Sequence, residues 1–206
     1  MMKRNGPARV WLSVMIGLVM AATGAGASAA ERVDLYAAET GSFEIAAVPK
    51  LVLHDTDRDK DLQLRITYPV TGGPHPVIIW SHGATGSKDA YQPLIRHWVS
   101  RGFVCIQPTH GDSRRLPGGV KTLDRRAIAR HWRSRPEDVS FIIDSLDEIA
   151  GQVDGLADRM DAERIAVGGH SYGAHTTMLI AGVTLRAGRF VVDLGDERAD
   201  ALLMIS

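Results

Sequence analysis

The sequence predicts an α/β domain whose sheet is mostly parallel and flanked by helices, on three observations. Extended apolar runs alternate with helical stretches along the chain. The run Pro76-Val77-Ile78-Ile79-Trp80 is continuously apolar, as strands buried on both faces of a parallel sheet are. Glycine-containing turns stand where strand-like runs give way to helical ones, at Ser81 to Gly86 and at Gly169 to Gly173.

Size and charge agree with one such domain. The chain has 206 residues, 45% hydrophobic and 23% charged, which excludes disordered and fibrous classes. Its 24 basic and 24 acidic residues balance, so there is no overall electrostatic footprint for nucleic acid. Residues 1–29 hold Lys3, Arg4 and Arg9 and no acid, leaving 21 basic against 24 acidic residues in the remainder. A basic start, the apolar run Val10 to Ala22 and the small residues Thr23 to Ala30 read as a secretory signal peptide, cleaved after Ala29 or Ala30. The 13-residue apolar run, at a rise of about 1.5 Å per residue, is too short to cross a hydrocarbon core of roughly 30 Å. The expectation is a secreted or periplasmic domain over residues 30–206, with no transmembrane segment once the signal is removed. Its single cysteine, Cys105, lies inside Phe103-Val104-Cys105-Ile106 and reads as a core-strand residue, so no internal disulfide is available.

Taken in order, Ser42 to Val48 and Leu62 to Pro69 read as early strands, the second alternating Leu62, Leu64, Ile66 and Tyr68 with polar residues. Asp55 to Asp61 between them lacks the glycine and glutamate that a calcium loop needs and reads as a solvated turn. After the Pro76–Trp80 strand, a helix is expected from about Lys88 to Arg101, broken by Gly102, then a strand over Phe103 to Gln107 and a loop Pro108 to Asp112. Residues 113–135 are irregular and hold eight basic residues against one acid, Asp124, which suits a solvated lid or loop or, as the alternative, an anionic substrate or surface. Pro136 opens a helix with Glu137 and Asp138 near its positive end and Val139, Ile142, Ile143, Leu146 and Ile149 on one face. A strand over Arg164 to Gly168, a small-residue helix over Ala174 to Ala181 and a buried strand over Ala201 to Ile205 complete the pattern.

The chemistry sits in the two glycine turns. Gly169-x-Ser171-x-Gly173, between strand and helix, is a nucleophile-elbow arrangement that projects a serine hydroxyl above the sheet. The glycines leave room for a sharp turn packed against neighbouring backbone. An acyl-transfer serine also needs two backbone N–H donors for the developing oxyanion, one just after the nucleophile and one from a loop after an earlier strand. Tyr172 and Ala84 fill those positions; Gly83 allows backbone approach, and His82 reads as a brace for the loop.

These residues resemble a known family. Ser81-His82-Gly83-Ala84, Ser100 to Val104, Pro108 to Asp112, Arg135-Pro136-Glu137-Asp138 to Ile142, and Gly168-Gly169-His170-Ser171-Tyr172-Gly173-Ala174 are similar to the α/β-hydrolases of the platelet-activating-factor acetylhydrolase and dienelactone hydrolase-like group. The resemblance, over roughly residues 44–206, implies a serine hydrolase of carboxylic esters, short-chain, acetyl or phospholipid acetyl esters among them. It implies a small-molecule or lipid ester as partner and no metal or organic cofactor. Dienelactone hydrolases use a cysteine where this chain has Ser171.

In that fold the order is serine, acid, histidine, the last two following later strands. No histidine follows His175, so the expectation is that the C-terminal strands, the triad acid and the histidine are not in this chain. His110 and His175 are the substitute bases to weigh. The competing readings are a non-catalytic hydrolase-like fragment or binding domain, and a thioesterase or peptidase on the same elbow.

Overall fold

The computed structural model describes residues 41–206; the expected signal peptide, residues 1–29, and the expected start of the domain at residue 30 lie outside the described residues. The chain opens with two long antiparallel strands, β1 (Ile45–Asp55) and β2 (Lys60–Pro69), joined by a tight hairpin. Then follow β3 (His75–Ser81), helix α1 (Gln92–Val99) and β4 (Val104–Thr109). A short helix α2 (Arg125–Ala129) precedes α3 (Ser134–Asp144) and α4 (Leu146–Gln152), and β5 (Met160–His170) leads into α5 (Tyr172–Ile180). A small hairpin of β6 (Leu185–Ala187) and β7 (Phe190–Val192) stands apart before β8 (Ala199–Ile205).

Six strands form one sheet in the order β1-β2-β4-β3-β5-β8. β4, β3, β5 and β8 are mutually parallel, and only β2 runs against the rest. The expected mostly parallel sheet with flanking helices is therefore what forms, with an antiparallel hairpin at one edge. Alternation along β3 divides the core. Val77 and Ile79 join the larger cluster with Leu62, Leu64, Ile66, Val139, Ile142 and Ile149 under α3 and α4, while Ile78 and Trp80 face Ile95 and Val99 of α1. Each of these fully buried side chains stabilises the fold by about 1.5–3 kcal/mol. Cys105 is buried on the α1 face as a core residue, and burial pushes its thiol far above the ordinary range.

Several boundaries differ from the sequence-based expectation for local reasons. β1 starts at Ile45 and runs on to Asp55 because a bulge between Val48 and Leu51 carries it past Pro49 and Lys50. α1 is shorter than Lys88 to Arg101: Tyr91 has φ 63°, a left-handed conformation that no helix interior accepts, and Pro93 follows in the first turn. The helix expected from Pro136 through Ile149 is two helices. It breaks at Ser145, whose φ of −102° ends α3, although all five apolar positions of the expected face are buried as one surface. β5 and β8 extend beyond their expected cores, and the β6–β7 hairpin and α2 carry no signal strong enough to read beforehand. Among the described residues no helix is long and apolar enough to cross a membrane.

β3 is the switch point of the sheet: the chain leaves it toward β4 over the α1 face and returns to its other side as β5 by way of α3 and α4. The carboxyl ends of β3, β4 and β5 lie side by side, with Ser81 opposite Gly169, which is where open α/β sheets form their sites.

Candidate active site

Ser171 sits between β5 and α5 with φ 55° and ψ −114°, a conformation that L-residues rarely adopt, and the residue is exposed. Two constraints hold it there. Its N–H donates to the Ile205 carbonyl of β8 at 2.8 Å, and the flanking glycines allow backbone contact that no side chain would. A Cβ on Gly169 would lie 2.4 Å from the carbonyl carbon of Gly173, and one on Gly173 would lie 2.1 Å from the Ser81 oxygen. The glycine spacing thus brings the elbow against the end of β3. Tyr172 is the first residue of α5, a position whose amide has no partner within the helix.

The facing loop runs from Ser81 to Thr85. His82 is buried, and its Nε2 accepts the His110 backbone N–H at 3.1 Å, so the proton lies on Nδ1, which donates to the Gly83 carbonyl at 2.7 Å. Burial, then Arg135 and His110, push its pKa well below the ordinary 6.5, and the ring is neutral. The 3.2 Å approach of Arg135 Nη2 to Nδ1 is therefore a contact between two donors and not a hydrogen bond. The Gly83 N–H donates to the Tyr91 hydroxyl at 3.2 Å, which lies 2.8 Å from His170 Nδ1. Thr85 is a second strained residue, with φ 61°, and its N–H donates to Asp112 Oδ2 at 2.9 Å. Among the described residues, no acceptor takes the Ala84 amide.

Behind this loop lies a buried polar web centred on α3. Arg135 is fully buried and donates from Nε and Nη2 to the two oxygens of Asp112, both at 2.9 Å. Burial would raise the Asp112 pKa, but the Arg135 bonds outweigh it and bring it down to about 2. One helical turn on, Asp138 Oδ2 lies 2.8 Å from His110 Nδ1, and His110 Nε2 lies 2.8 Å from Ser81 Oγ. Burial, joined by Arg135, pulls His110 down to about 4 against the hydrogen bond of Asp138, so the imidazole is neutral. It donates from Nδ1 to Asp138 and accepts from the Ser81 hydroxyl. Lys60 Nζ and Arg58 Nη1 reach the other Asp138 oxygen at 2.5 and 2.8 Å from the β1–β2 hairpin. Burial opposes ionisation of Asp138, yet its bonds to His110 and Lys60 hold it near 2.

The elbow and the loop, both anticipated from sequence, meet here: Gly173 backs onto Ser81 and His82, while Gly83 lies beside Tyr91 and His170. His110, weighed as a substitute base, is fully buried and bonded to Ser81 and Asp138. His175 stacks on Tyr172 with ring centroids 5.8 Å apart, and its Nδ1 is buried without a partner. Among the described residues none hydrogen-bonds the Ser171 hydroxyl. Two expectations need correction. The 55–61 turn is not simply solvated, since Asp55 is buried, Asp55 Oδ1 caps the turn, and Arg58 and Lys60 point inward to Asp138. Of the eight basic residues between 113 and 135 seven are exposed, but Arg135 is fully buried. The signal that would have separated it is Arg135-Pro136-Glu137-Asp138, which places two charges three apart on one helical face beside apolar neighbours.

Beside the loop, Ala84, Thr85, Gly86, Ser87, Arg114 and Arg115 line part of a cleft of about 310 Å³. Arg114 is tied to it by two bonds to Thr85, its N–H to the carbonyl at 3.1 Å and Nη2 to Oγ1 at 2.8 Å.

Comparison with known proteins agrees with this architecture. Two solved esterases share the fold. One is a ferulic acid esterase from Streptomyces cinnamoneus, at 20% identity and a TM-score of 0.52, aligned over 69% of this chain and 56% of its own. The other is a cold-adapted esterase from an Arctic intertidal metagenomic library, at 16% identity and a TM-score of 0.53, aligned over 79% and 60%. The chain thus spans less than two thirds of the length of either enzyme. No curated protein matches it. The family model for chlorophyllase matches residues 36–192, about three quarters of the sequence, and the chain belongs to the chlorophyllase family, on an α/β-hydrolase fold.

Proposed function

We propose that the protein is a serine hydrolase of carboxylic esters. The observation that carries this reading is Ser171: an exposed hydroxyl held in a strained turn at the head of a helix, on the switch-point edge of the sheet. In this mechanism Ser171 Oγ bonds to the ester carbonyl carbon, and the carbonyl π electrons move to oxygen. The amides of Ala84 and Tyr172 hold that oxyanion. Collapse breaks the bond to the leaving alkoxide, which takes the proton lost by Ser171, and water then cleaves the acyl-enzyme.

Neither His82 nor His110 carries the proton, since both are buried and committed to other partners. The sequence resemblance supports short-chain and acetyl esters, phospholipid acetyl esters among them, as the substrate class. Residues 1–29 support export by a cleaved signal.

The test is hydrolysis of p-nitrophenyl acetate, with covalent labelling by a fluorophosphonate read by peptide mass. Turnover and label at Ser171, both lost in Ser171→Ala, are expected; label elsewhere, or turnover unchanged in the variant, overturns the reading.

A further inference from the structure

The peptide unit joining Gly83 to Ala84 is planar and trans, so its carbonyl and its N–H point in opposite directions. Whatever fixes the Gly83 oxygen therefore aims the Ala84 N–H. Three donors converge on that oxygen: His82 Nδ1 at 2.7 Å, Gly86 N–H at 3.0 Å and Arg135 Nη2 at 3.3 Å. Arg135 Nη1 also donates to the preceding carbonyl, that of His82, at 2.7 Å. The same guanidinium lies over the Tyr172 ring, 4.4 Å from its centroid, and the Tyr172 hydroxyl is pinned to the Ile128 carbonyl at 3.0 Å. One buried cation thus touches both segments that carry the two free amides, and Asp112 fixes its plane through two parallel bonds.

We propose that Arg135, oriented by Asp112, is the positioning residue of the oxyanion site, locking the Gly83–Ala84 peptide so that its N–H faces the same point as that of Tyr172. This rests on the reading of Ser171 as the nucleophile. Two further consequences follow from the geometry. A cation against the Gly83 oxygen polarises the peptide and strengthens the Ala84 N–H as a donor. Both inward carbonyls of the loop are occupied, so a flip of this peptide would strand Arg135 beside an amide, donor against donor. Lysine cannot replace arginine here, because a point charge reaches Asp112 or the carbonyls but not both.

The test compares the full chain with Arg135→Lys and Asp112→Asn, each checked for fold by circular dichroism. Arg135→Lys is expected to lower kcat for p-nitrophenyl acetate at least about tenfold with KM within about threefold, as loss of an interaction made only in the transition state does. The penalty should shrink to under about threefold for the thionoester, whose sulfur is a poor oxyanion-site ligand in the unmodified protein as well. A merely structural role would lower both substrates alike, and that outcome overturns the proposal.

A second measurement needs no turnover. In ¹⁵N-labelled protein the Ala84 and Tyr172 amide resonances should move in both variants while those of β3 and β5 stay in place. Unmoved Ala84 and Tyr172 resonances overturn the clamp whether or not the chain hydrolyses esters. Turnover that does not depend on Ser171 overturns the reading of the nucleophile and leaves the clamp to be decided by these resonances.

Discussion

Ser171 stores strain at the position where the chemistry is proposed. Its φ of 55° and ψ of −114° suit glycine, and a non-glycine residue there costs about 1–3 kcal/mol. Ser171→Gly is therefore expected to raise stability by about 1 kcal/mol, a gain in Tm of roughly 2–4 °C, while abolishing labelling. A calorimetric scan showing Ser171→Gly below Ser171→Ala in Tm would contradict this account. The elbow was legible because its steric demands fall on Gly169 and Gly173, each two residues from Ser171, and so leave a local signature. The Arg135 clamp was not, because its partners Asp112 and His82 lie 23 and 53 residues away, and a buried arginine looks like an exposed one in a basic stretch.

Helix α3 shows at the scale of one element how polar and apolar faces are divided. Val139, Ile142 and Ile143 pack on the sheet, Arg135 and Asp138 enter the loops at its carboxyl edge, and Glu137 remains on the surface side, bonded to Arg133. Asp138 answers Arg58, Lys60 and His110 together, so Asp138→Asn leaves two cations facing a neutral amide in a buried site and is expected to cost about 3 kcal/mol. Glu137→Gln, next to it, should cost less than about 0.5 kcal/mol. Chemical denaturation of the two variants checks the contrast, and equal losses would refute it. The existence and order of the elements were readable from periodicity, whereas their ends were decided by Tyr91, by the Val48–Leu51 bulge and by Ser145, where tertiary contacts override local preference.

Across the whole molecule, stability is coupled to acid through groups buried without charge. His110 has a native pKa of about 4 against 6.5 ordinarily, so between those values the unfolded chain binds more protons than the folded one. Stability that is full above pH 6.5 is lost as pH falls toward 4, by roughly 3 kcal/mol from His110 alone, with His82 acting in the same direction. Asp112 and Asp138, both near 2, extend the loss below pH 4. Urea midpoints measured from pH 7 to 4 should fall steeply, and a flat profile would show that these imidazoles are not buried neutral.

The mixed sheet that carries this web has β8 at one edge, held by β5 alone among the described strands. Its Ile205 carbonyl is the acceptor for the Ser171 N–H. An opening of the β5–β8 pairing that reaches Ile205 unhooks the amide that holds the strained turn. β8 therefore works as a latch: while it is seated the serine is cocked, and when it lifts the turn can relax, so nucleophile geometry is only as durable as the pairing of one strand.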